Sequence, residues 1–221
     1  MSPRPADPDA RGRLLEAAAR VLAEEGTGAL TTRRLAAEAG TSTTAVYTRF
    51  GGMDEVRDAV RQEGFARLAT ALDAVERTAD PVRDLVAAGV TYLRFGLGEP
   101  DLYRAMFLDP PRTPDAGVVG HGAFGRLVAA VGRCVDAGRF TDPGPDGTAG
   151  WAVQLWTMRH GLVSLATVGL MPLEQVMLHA GDMSVRLFVG YGDERAAAAR
   201  SVAEAMASAG AAPGTAPRPT G

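Results

Sequence analysis

The sequence predicts an all-α protein, and three observations carry that prediction. Apolar residues recur at helical spacing in one segment after another. No stretch alternates apolar and polar residues over the length of a strand. Capping residues, glycines and prolines fall between the periodic segments, where helices begin and end. The pattern gives about nine or ten helices, divided into a three-helix head with a helix-turn-helix and a helical-bundle body.

In chain order, Met1 to Asp9 is a proline-rich arm. Ala10 to Glu25 is the first helix, with Leu14, Leu15, Ala18, Val21 and Leu22 on one face and Gly26 at its end. Thr31 or Thr32 caps a second helix that carries Leu35, Ala36 and Ala39, and Gly40 stops it. Ser42 caps a third, with Ala45, Val46 and Phe50 inward. After Gly51-Gly52 a long helix runs from about Asp54 to Arg77 on the stripe Val56, Val60, Gly64, Leu68, Leu72 and Val75. Pro81 sits at the first position of the next helix, which Leu85, Val86, Val90, Leu93 and Leu97 make amphipathic. A short helix holds Leu102, Tyr103, Met106 and Phe107, and Pro110, Pro111 and Pro114 then impose a loop. Helix resumes from near Gly122 to Gly138, and a turn-rich connector, Thr141 to Gly147, leads to the last long pair.

That pair, about Thr148 to Leu170 and Leu173 to Tyr191, is apolar on more than one face. The first carries a Trp151, Leu155, Met158, Leu162, Leu165 stripe and a second of Val153, Trp156, His160, Val163 and Thr167. A helix apolar on two faces needs two partners, one of them beyond the chain's own core. Trp156, His160 and Val163, with Val176, Ala180 and Leu187 from the following helix, are the expected homodimer contacts. Asp193 to Ala209 is an alanine-rich extension, and Gly210 to Gly221 is expected to be a disordered tail.

Composition narrows the class. The net charge of −3 over 221 residues argues against indiscriminate coating of nucleic acid. Between Thr31 and Phe50, however, Arg33, Arg34 and Arg49 face Glu38 alone. All 23 basic residues are arginine. A lone cysteine, Cys134, excludes an internal disulfide and fits a reducing cytoplasm. No run of about eighteen apolar residues exists to span a membrane, and the N-terminus lacks a signal-peptide core. His121, His160 and His179 have no metal-site spacing, no nucleophile elbow appears, and no cofactor, metal or catalytic residue is expected. Gly120 to Gly125, GHGAFG, matches a dinucleotide-binding spacing but lacks the preceding strand that such a loop requires.

The stretch Thr31 to Phe50, TTRRLAAEAGTSTTAVYTRF, carries the function. Its first helix braces; its second leaves Thr43, Thr44, Tyr47, Thr48 and Arg49 outward, each with a hydrogen-bonding group suited to a DNA major groove. Thr31, Arg33, Leu35, Ala36, Ala39, Gly40, Ser42, Tyr47 and Phe50 together resemble the DNA-binding domain of the tetracycline-repressor (TetR) family of bacterial transcriptional regulators. The body, through Trp156, His160 and Gly161 and the segment Tyr92 to Phe107, resembles a C-terminal type of that family marked by a Trp-His-Gly signature.

The resemblance implies a DNA-binding domain over 10–53 and a ligand-binding and dimerisation domain over 54–209. The function it implies is a cytoplasmic dimeric repressor, nucleoid-associated when bound, released from a palindromic operator by a small molecule. Thr31, Arg33, Ser42, Thr43, Thr44, Tyr47, Thr48 and Arg49 are the expected DNA contacts. Phosphates fall to Arg33, Tyr47 and Arg49, and base edges to the threonines of the second helix. The family commonly places a phosphate-binding lysine where this chain has Met53. The implied effector pocket draws on Phe65, Tyr92, Phe95, Phe107, Phe124, Trp151 and Leu155, and such a lining suits an apolar or aromatic molecule. The competing reading is an all-α binding or enzymatic protein whose helix-turn-helix is structural only. Specific, salt-steep DNA binding separates the two.

Overall fold

A computed structural model of the protein describes residues 10–109, 121–144 and 147–211. Ten α-helices follow in order: α1 (Ala10–Glu25), α2 (Thr32–Glu38), α3 (Thr43–Phe50), α4 (Met53–Asp73) and α5 (Pro81–Gly98), then α6 (Pro100–Phe107), α7 (His121–Asp136), α8 (Gly147–Thr167), α9 (Leu173–Gly190) and α10 (Arg195–Ala211). A single 3₁₀ turn, Thr27–Ala29, joins α1 to α2. No strand occurs among the described residues, as the periodicity predicts. The proline-rich arm, the Pro110–Pro114 loop and residues 212–221 of the expected tail lie outside the described residues, whereas 210 and 211 belong to α10.

By packing, the chain forms two compact units. One takes the chain up to Thr70 together with Gly98–Gly122; the other takes Ala71–Leu97 and the chain from Ala123 onward. In the first unit α1 packs on α2, α3 and α6, and α2 packs on α3. Leu14, Ala18, Val21, Leu22, Leu30, Leu35 and Val46 close its core. Ala17 is buried in place of the expected Leu15, which is half-buried. The unit extends past the helix-turn-helix because the α4 stripe Val56, Val60, Phe65 and Leu68 is buried too. There Phe65 meets Phe107 of α6 edge-on, with ring centres 5.1 Å apart.

In the second unit α8 packs on α9 and α9 on α10. Its interior contains Leu85, Leu93, Val131, Leu155, Val163, Val176 and Phe188. A polar clamp ties its helices together. The Arg139 guanidinium donates to both oxygens of Asp193 (2.9 and 2.8 Å) and to Asp80 Oδ1 (2.7 Å). Ser201 of α10 donates its hydroxyl to Asp80 Oδ2 and accepts from Arg139 Nη2.

The long helix stops at Asp73, four residues short of the expected Arg77. The chain from there is committed to the start of α5: the Thr78 amide and hydroxyl both donate to the buried Asp84 carboxylate. That Asx-type anchoring satisfies backbone groups outside any helix, so α4 gains nothing by continuing.

Candidate nucleic-acid interface

The two helices of the motif are built from their caps. Thr31 Oγ1 accepts the Arg34 amide at 3.2 Å, and Ser42 Oγ accepts the Ala45 amide at 3.1 Å, each satisfying one of the orphan donors at a helix start. Between them Gly40 takes φ 61°, the left-handed turn that lets Gly40 N reach Ala37 O and Thr41 N reach Ala36 O. Val46 is wholly buried and Ala45 and Phe50 are half-buried, with the Arg11 guanidinium lying over the Phe50 ring.

The other face of α3 is open. Thr31, Arg33, Ser42, Thr43, Thr44, Tyr47, Thr48 and Arg49 are all exposed, and Tyr47 shows 54% of its surface. Thr48 donates its hydroxyl to Thr44 O (2.8 Å), which turns its proton inward to its own helix. The face thus offers hydroxyls, a phenol and two guanidinium groups, with no carboxylate on α3. Hydroxyls read base edges with either polarity, and arginines hold phosphates.

The charge balance differs from the sequence expectation at one residue. Arg34 pairs with Glu25 (2.6 Å) and with Glu38 (3.0 Å), and Arg20 holds the other oxygen of Glu38 (2.9 Å). These bonds hold the Glu38 carboxyl below its usual range. Arg34 is therefore a brace between α1 and α2. At Met53 the start of α4 places Asp54 and Glu55 in the first turn, both exposed, and the Glu55 carboxylate curls back toward Gly52. These charges occupy the end that would otherwise attract a phosphate.

The residues expected to line an effector pocket fall in both units. Phe65 and Phe107 belong to the first unit; Tyr92, Phe95, Phe124, Trp151 and Leu155 belong to the second. In the second unit Leu155 is fully buried, and Trp151 stacks on Tyr191 at 4.4 Å beside Phe140, a core cluster. Phe95 and Phe124 are half-buried. Tyr92 is buried with its hydroxyl 3.5 Å from His160 Nδ1, the His160 ring lies 5.4 Å from Trp156, and Phe124 meets Trp156 edge-on. Burial holds the His160 imidazole below its usual pKa. In the first unit a small cleft between α1, α4 and α6, about 20 Å³ inside, has room for water but for no organic effector.

The expected dimer residues are also redistributed. Val163, Val176 and Ala180 are buried within the chain itself. Leu187 and His160 are half-buried and Trp156 is exposed. The apolar side chains left open are Val153, Trp156 and Leu165 on α8, Val168 and Leu170 in the turn, and Leu173, Leu178 and Met183 on α9. Sequence reasoning passed over Arg159, which is 5% exposed in the middle of α8. Its signal was a lone arginine flanked at helical spacing by Leu155, Trp156, Leu162 and Val163. Burial pulls its pKa down to about 10, leaving it a cation at neutral pH. Cys134 is fully buried, its thiol donating to Ala130 O at 3.4 Å, and burial pushes its pKa up to about 12.

Residues 14–60 match the family model for bacterial regulatory proteins of the tetR family, and residues 85–190 match that of the tetracyclin repressor-like C-terminal domain. No curated protein matches the chain. Among solved structures it is similar to a Rhodococcus sp. RHA1 protein of unknown function, at 26% identity and a TM-score of 0.70 over 86% of this chain and 99% of that one. It shares its fold with RolR in complex with resorcinol, at 18% identity and a TM-score of 0.64 over 88% and 93% of the two chains. The same holds for PfmR, a TetR family transcriptional regulator of Thermus thermophilus, at 23% identity and a TM-score of 0.57 over 74% and 92%. With one family model on the helix-turn-helix and the other on the body, the chain belongs to the TetR family of transcriptional regulators.

Proposed function

We propose that this regulator is a homodimeric repressor that grips a palindromic operator through α3 and lets go when a small molecule binds its body. The observation that carries the DNA half is that every expected contact, on α3 and at the start of α2, is exposed while Val46 anchors α3 from behind. Residues 10–53 act as the reading head and 54–209 as the ligand-binding and dimerisation body, of the Trp-His-Gly type through Trp156, His160 and Gly161. A ligand-bearing relative fold, RolR with resorcinol, supports an effector site in the body. The apolar strip from Val153 to Met183 supports self-association, since exposed patches of this kind mark interfaces. Each subunit then reads one half-site, and the dimer sets their spacing near one helical turn or a multiple of it. The protein acts in the cytoplasm, at the nucleoid when bound, with no catalytic step, metal or cofactor.

A ligand releases DNA only by binding the released state more tightly than the DNA-competent one, whatever path the shift takes. The test of the DNA half is a titration of the purified protein against the DNA upstream of its own gene and against a genomic library, beside scrambled DNA, at several salt concentrations. Thr44→Ala is expected to lower discrimination between operator and scrambled DNA. Arg33→Ala should weaken both alike and flatten the salt slope by about one unit. Equal losses from both substitutions on every DNA would remove the assignment of base contacts to α3.

A further inference from the structure

Arg159 is a buried cation for which the described residues supply no anion. Its Nη2 donates to Leu85 O of α5 at 3.2 Å. That is one acceptor for a guanidinium with five N–H donors, and no carboxylate pairs with it among the described residues. The same chain shows how it handles a structural arginine: Arg139 is forked onto Asp193 and bridged to Asp80. Arg159 has been given the burial without the counter-charge.

Its seat is built to admit it. A Cβ on Gly89 would fall 2.5 Å from both Cζ and Nε of Arg159, so the guanidinium lies against the bare backbone of α5. One turn on, Tyr92 brings its hydroxyl beside His160, and the His160 ring leads to Trp156, which is partly open to solvent. The Tyr92 phenol lies within electrostatic reach of the Arg159 guanidinium and 3.5 Å from the His160 ring, at one end of the aromatic wall.

We infer that the effector of this regulator is an organic carboxylate with an apolar or aromatic frame, and that Arg159 receives its carboxylate group. The inference rests on the reading of the body as an effector site, and it adds an acid group to the expected apolar or aromatic molecule. A planar guanidinium matches a carboxylate two bonds at a time and supplies one unit of charge. A phosphate, nearly doubly charged, would be left under-neutralised in this apolar setting. The Tyr92 hydroxyl and His160 ring are placed to orient the same group, and the rings around them suit a hydrocarbon frame.

The experiment measures thermal stabilisation and binding of the full-length protein by benzoate, cinnamate and decanoate. Each is compared with its neutral amide at equal ionic strength, in wild type, Arg159→Gln and Arg159→Met. At least one acid is expected to stabilise wild type and to bind about tenfold or more tightly than its amide, and both variants should erase that difference. Methionine keeps the apolar stem, a replacement that buried charges often tolerate, so a variant that folds is at hand. If acid and amide act alike on wild type, if none of the three acids binds, or if Arg159→Met still prefers the acid, the inference is overturned. Operator binding by the same preparations is scored separately: its absence would remove the regulator reading, and the acid–amide comparison would still stand or fall alone.

Discussion

Replacing Arg139 with alanine is expected to cost about 3–5 kcal/mol of unfolding free energy, read from urea denaturation monitored by circular dichroism. The arginine is the hub of the second unit, joining Asp80 ahead of α5, Asp193 between α9 and α10, and Ser201 within α10. The Asp193 side chain is only 2% exposed, so alanine leaves a buried carboxylate with its main partner gone. Lysine should recover only part of the loss, because a point charge does not reproduce the fork onto both Asp193 oxygens. The pH dependence has a definite sign. Burial raises the Asp80 pKa, but the Ser201 hydroxyl, backbone amides and the Arg139 charge outweigh it and hold the group below its usual value. A depressed carboxylate contributes its stability above the unfolded pKa of about 4, and that contribution drains away as pH falls through the folded value. Wild type should therefore lose stability with acid more steeply than Asp80→Asn. Parallel curves, or a loss under about 1 kcal/mol in Arg139→Ala, would show that the clamp contributes little.

The second large effect is expected at the open apolar strip. Leu165→Arg combined with Leu178→Arg places two charges where 41% and 68% of the leucine surfaces are bare. Both leucines lie outside the buried core, so the subunit should still fold while the dimer dissociates. Sedimentation equilibrium at micromolar protein reads the mass directly. Operator affinity should fall by about 10²–10⁴-fold, the factor that a second tethered half-site supplies. A wild-type protein that sediments as a monomer would end the dimer reading. So would a double variant that retains both its mass and its operator affinity.

Local rules made much of this molecule legible from sequence. Helix α3 was readable because its cap, its stop glycine and its buried Val46 are all near neighbours in the chain. The extent of α4 was less so: its end is decided by Thr78 reaching Asp84, a tertiary commitment that periodicity does not register. Periodicity also says which faces are apolar and never which partner covers them. Val163, Val176 and Ala180 are covered within the chain itself. Arg34 illustrates the same gap in charge. Its partners, Glu25 and Glu38, lie nine residues before it and four after, and only folding shows that both reach it at once.

The buried Cys134 gives the protein an internal clock. A thiol held in protonated form and sealed from solvent reacts with a maleimide only in molecules that have opened far enough to uncover α7. As the chain has one cysteine, each labelled molecule records one such opening, with no background from other sites. Any compound that binds the closed form lowers the open population and slows the labelling in proportion to its occupancy. Mass spectrometry of wild-type protein over time would thus rank candidate effectors without DNA, a reporter or an engineered probe.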